Sequence, residues 1–70
     1  MPDKTLGEVV REVREARGLT QAQLAEKAQV ALSFVTTLEV GGQSHPSRQI
    51  IHRLARALDV PAKRLLEPGS

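Results

Sequence analysis

Residues 19–40 read LTQAQLAEKAQVALSFVTTLEV, and their reading decides the fold. Thr20 and Gln23 form a Thr-x-x-Gln capping box, which starts a helix at Gln21. Leu24, Ala25 and Ala28 recur at helical spacing and mark one apolar stripe. The pattern breaks at Gln29-Val30-Ala31. Val35 and Leu38, three residues apart, begin a second stripe. The spacing predicts two short helices, about 21–28 and 32–40, crossing at a tight turn. Leu24, Ala25, Val30, Val35 and Leu38 are expected to bury together in that corner. The outward face of the second helix is then free, and one helix fits the major groove of DNA.

The rest of the chain supplies walls for this corner. Thr5 and Glu8 form a second capping box, followed by Leu6, Val9, Val10 and Val13 at i, i+3, i+4 and i+7. Gly7 is expected to weaken that first helix slightly. Arg17-Gly18 ends it, with Gly18 suited to a left-handed cap. Residues 41–46 read as a loop. Ser47 caps a fourth helix carrying Ile50, Ile51, Leu54, Ala55 and Leu58. Asp59-Val60-Pro61 is a tight link, and Pro61 suits the start of a short fifth helix over about 62–66. Residues 1–4 read as a loose arm, 5–66 as one domain and 67–70 as a tail. The architecture expected is all-α, a compact five-helix bundle.

Composition narrows the function. Seventy residues make one small domain. There is no cysteine, which excludes disulfides and thiolate metal sites and fits a reducing compartment. No apolar run approaches membrane-spanning length, and the N-terminus has no signal-peptide pattern, so the expected location is cytoplasmic. The net charge is only +2, but its distribution is uneven. Residues 41–66 carry Arg48, Arg53, Arg56, Lys63 and Arg64 against Asp59 alone. A basic half fits a polyanionic partner, although a solvated helix surface has the same composition. With one aromatic residue, the chain lacks the stacking platform that single-stranded nucleic acid requires. The histidines His45 and His52 show no metal-like spacing. Ser33, Ser44 and Ser47 have no evident base and orienting acid, so no enzyme activity and no cofactor are expected.

Leu19-Thr20-Gln21, Leu24-Ala25, Val30, Val35, Leu38, Glu39 and Gly41 together resemble the helix-turn-helix family of phage repressors and Cro proteins, a lambda-repressor-like DNA-binding domain. The resemblance extends from about Leu6 to Leu66. It implies a regulator that reads double-stranded operator DNA as a homodimer, usually as a repressor. Two departures stand out. The family favours glycine where this chain has Gln29, and a left-handed backbone there would cost a non-glycine residue roughly 1 kcal/mol. The family also favours Ser or Thr where Ala31 stands, and losing that cap costs about 1 kcal/mol.

The resemblance also implies roles for individual residues. Bases would be read from Leu32, Ser33, Phe34 and Thr37. Helical phase adds Thr36 to the outward face, with Leu32 and Phe34 on its flanks. This helix has no Arg, Lys, Asn or Gln, so it lacks the strong bidentate readers of guanine and adenine. Hydroxyls and apolar groups favour A·T-biased readout through thymine methyls. Phe34 has an equally simple reading as a core residue. Gln21, Gln43, Ser44, His45, Ser47 and Arg48 fall where the family grips the DNA backbone; Gln21 also reads as an ordinary early-helix residue, and Arg48 as a solvated charge. Arg14 and Glu39 match an internal ion pair tying helix one to the end of helix three. Val60, Leu65 and Leu66 are candidates for a dimer surface, or simply close the monomer. Two other functions use the same domain. One is the antitoxin of a toxin–antitoxin pair, with a toxin as protein partner. The other is a protein-interaction module that has lost DNA binding.

Overall fold

Thr5 begins the ordered chain as its sequence predicts. Its hydroxyl accepts the Glu8 backbone N–H at 3.2 Å, and the Glu8 carboxylate accepts the Thr5 N–H at 3.4 Å. The computed structural model describes residues 5–41 and 46–66. The arm at 1–4, the loop residues 42–45 and the tail at 67–70 lie outside the described residues, and Gln43, Ser44 and His45 fall there.

Five α-helices follow in order: α1 (Leu6–Ala16), α2 (Gln21–Ala28), α3 (Leu32–Glu39), α4 (Arg48–Leu58) and α5 (Ala62–Leu66). The bundle is all-α among the described residues. α2 packs on both α3 and α4, and α1 lies across α3, α4 and α5. The core combines one stripe from each helix: Val9, Val10 and Val13, then Leu24, Ala25 and Ala28, then Val35 and Leu38, then Ile51, Leu54, Ala55 and Leu58, and finally Leu65. Each fully buried leucine or valine contributes about 1.5–3 kcal/mol relative to exposure. Val30, expected inside the corner, is half-buried at its edge.

Gly7 has a different role from the one its helix propensity suggests. It is buried in the first turn of α1, where the backbone at the end of α3 passes directly over it. A Cβ at this position would run into the Leu38 carbonyl. Glycine is therefore what allows α1 and α3 to approach each other this closely.

Turn chemistry sets the remaining angles. Gly18 takes φ +71° beyond the end of α1. Gln29 caps α2 at φ 59°, and Asp59 caps α4 at φ 60°; both are left-handed without being glycine. Ala31 offers α3 no side-chain cap, in contrast to Thr5, Thr20 and Ser47 at the other three long helices.

Candidate nucleic-acid interface

Helix α3 divides as its periodicity dictates. Val35 and Leu38 are 0% and 3% exposed. Ser33, Thr36 and Thr37 face outward, and Leu32 is 48% exposed beside them. Phe34 sits between the two readings: it is half-buried and packs against the core. The ridge formed by Leu32, Ser33, Thr36 and Thr37 carries no charge. Val40, at the end of the helix, is 76% exposed and extends its apolar character.

The end of α3 is anchored by a polar knot. Arg14 Nε donates to Glu39 Oε2 at 2.7 Å, and Arg14 Nη2 donates to Glu39 Oε1 at 2.9 Å. This is a bidentate, charge-assisted pair. The two side chains are only 11% and 3% exposed. A third hydrogen bond runs from Arg14 Nη1 to the Leu19 carbonyl at 2.8 Å, so one guanidinium joins α1, the turn before α2 and the end of α3. The hydrogen bond to Glu39 is the main cause that raises the Arg14 pKa above its ordinary value; burial opposes it, and the charges of Glu39 and Glu15 reinforce it. The stability linked to this shift is fully present below the unfolded-state pKa of Arg14. It is lost only as pH rises through the still higher folded value, far above neutrality.

Gln21 belongs to the same knot. Its Nε2 donates to Glu39 Oε1 at 3.1 Å, and its Oε1 accepts the Thr36 hydroxyl at 3.2 Å. Gln21 and Thr36, read from sequence as separate DNA-facing residues, are thus bonded to each other. Fifteen positions separate them, and no local pattern reveals the link.

At the start of α4, the Ser47 hydroxyl accepts the Ile50 N–H at 3.2 Å, and Arg48 is exposed next to it. Ser47 and Arg48 therefore share a helix N-terminus, where the dipole and a guanidinium both favour an anion. His52 is exposed on the polar face of α4. The described residues contain no cluster of three or more His, Asp or Glu side chains that could hold a metal ion.

The C-terminal candidates separate. Leu65 is 1% exposed within a single copy of the chain, so it closes the monomer core and is not available to a dimer surface. The short α5 lies against α4 and α1, with Leu65 as its buried residue. Leu66 is 37% exposed and Val60 is half-buried, so both still reach the surface.

This arrangement, two short helices crossed at a left-handed turn with the second presenting an open face, is that of a helix-turn-helix domain. The model of the helix-turn-helix domain family matches residues 5–67, and the chain belongs to that family, in its Cro and phage-repressor branch. SinR of Bacillus subtilis, a helix-turn-helix-type transcriptional regulator, is 34% identical over 62 residues, 89% of this chain. The chain spans 56% of SinR's own length. The crystal structure of SinR, the master regulator for biofilm formation, in complex with DNA superposes with a TM-score of 0.85 at 33% identity, covering 90% of this chain and all of that one. The restriction-modification controller protein C.AhdI from Aeromonas hydrophila gives a TM-score of 0.80 at 38% identity over 86% of this chain and 89% of its own. These relatives are regulators, not enzymes.

Proposed function

We propose that this chain binds double-stranded DNA by laying α3 in the major groove, and that it regulates transcription in the cytoplasm, chiefly as a repressor occupying a promoter. The observation that carries this reading is the division of α3. Val35 and Leu38 lock one side into the core while Leu32, Ser33, Thr36 and Thr37 stand outward together. The fold shared with a DNA-bound relative supports it. In this reading Leu32 and Phe34 meet thymine methyls, and Ser33, Thr36 and Thr37 meet base edges. Gln21, Ser47 and Arg48 position the backbone, joined by Gln43, Ser44 and His45 of the loop. Two copies, related by a two-fold axis near Val60 and Leu66, would place their α3 helices one turn of DNA apart.

Duplex binding titrated against salt tests the proposal. Phosphate engagement makes log affinity fall linearly with log salt, by roughly 0.9 per phosphate neutralised. An absence of binding at low salt overturns it.

The apolar, uncharged ridge of α3 favours a second reading, in which a protein partner covers that face. Leu32 and Val40 are the anchors it would use. A stoichiometric complex with a protein partner that blocks α3, and no duplex binding, would establish it; a toxin is the partner an antitoxin role requires.

A further inference from the structure

We infer that Thr36 acts toward DNA as a hydrogen-bond acceptor only, and so selects a base carrying an exocyclic amino group, adenine or cytosine, on the strand it faces. This rests on the operator-reading role proposed above.

The argument follows the protons. Arg14 is permanently charged, and its fork holds both oxygens of Glu39 at 2.7 and 2.9 Å. A carboxylate held this way is ionised and can only accept. The Gln21 group 3.1 Å from Glu39 Oε1 must therefore be the amide NH2, which fixes the orientation of the Gln21 side chain. Its carbonyl oxygen then faces Thr36 at 3.2 Å. A carbonyl cannot donate, so the Thr36 hydroxyl gives it its single hydrogen. Only lone pairs remain on Thr36 Oγ1, and Thr36 is exposed on the outward ridge of α3.

A free threonine hydroxyl reads donors and acceptors alike and discriminates poorly. The network removes that ambiguity. In the major groove only adenine N6 and cytosine N4 donate, while guanine and thymine offer acceptors. Glu39 and Gln21 are positioning residues here, because they act through Thr36 without touching the base.

Selection of bound duplexes from a random pool tests the inference. For the native chain, one position on each half-site should be restricted to adenine or cytosine by about 3- to 10-fold, the range of one net hydrogen bond. Thr36→Val should make that position degenerate, and Thr36→Ser should retain the restriction. Gln21→Met frees the hydroxyl proton, so guanine and thymine should become acceptable at that position specifically, beyond any sequence-independent drop in affinity from loss of the Gln21 backbone contact. A native preference for guanine or thymine at the position sensitive to Thr36→Val overturns the inference. So does a uniform loss of affinity for every duplex in Thr36→Val, which marks a phosphate contact, and so does no change at any position. If the native chain binds no duplex at low salt, the operator reading itself has failed and this inference falls with it.

Discussion

The two ends of α3 are built differently. At the C-terminal end, Leu38 is buried, its carbonyl lies over Gly7, and Glu39 is gripped by Arg14 and Gln21. At the N-terminal end, Ala31 supplies no cap and Leu32 is half in solvent. One end is fixed to the scaffold by charge, close packing and hydrogen bonds; the other lacks a side-chain cap and is held by the packing of Phe34 and Val35. The contrast shows where this small domain puts its rigidity. It secures the position of the helix at the knot and leaves the leading turn, which would enter a groove first, without a side-chain cap.

Breaking the anchored end should produce the largest effects. Arg14→Met leaves Glu39 buried without its cation and should lower unfolding free energy by about 3–5 kcal/mol in denaturant titration. A loss below about 0.5 kcal/mol, typical of an exposed pair, would contradict the buried geometry. Gly7→Ala should cost about 1–3 kcal/mol, because the added methyl must push α1 off Leu38. A neutral or stabilising result, as helix propensity alone predicts, would mean that the two helices do not meet this closely. At the open end the sign reverses. Ala31→Ser supplies the missing cap and should stabilise by about 1 kcal/mol. The smallest gain is expected at the neighbouring corner, where Gln29→Gly relieves a left-handed backbone by somewhat less than about 1 kcal/mol, part of which is returned through unfolded-state entropy. Thermal melts of the last two variants, alone and combined, show whether the leading end of α3 tightens.

Much of this contrast was legible in the sequence. The capping boxes at Thr5 and Thr20 and the apolar stripes follow from local rules, which govern helix starts and stops, whereas the left-handed position at Gln29 and the missing cap at Ala31 stood out only against the family resemblance. The partnership of Arg14 and Glu39 came from family resemblance, since nothing in spacing alone pairs residues so far apart. What escaped was tertiary. Gly7 looks like a weak helix former until another backbone is laid on it. Leu65 looks available for dimerisation until α1 and α4 are folded over it. Gln21 and Thr36 read as two independent contacts because their bond depends on how α2 crosses α3.

The neutral ridge of α3 has an evolutionary consequence. Exposed side chains such as Leu32, Ser33 and Thr37 are peripheral to the core, while the cations of the chain sit on other elements. Under the operator reading proposed above, grip and discrimination fall to different residues. On that reading, a lineage descended from this domain could exchange its target by rewriting a few ridge positions, leaving both the architecture and the ionic attraction to the polymer unaltered.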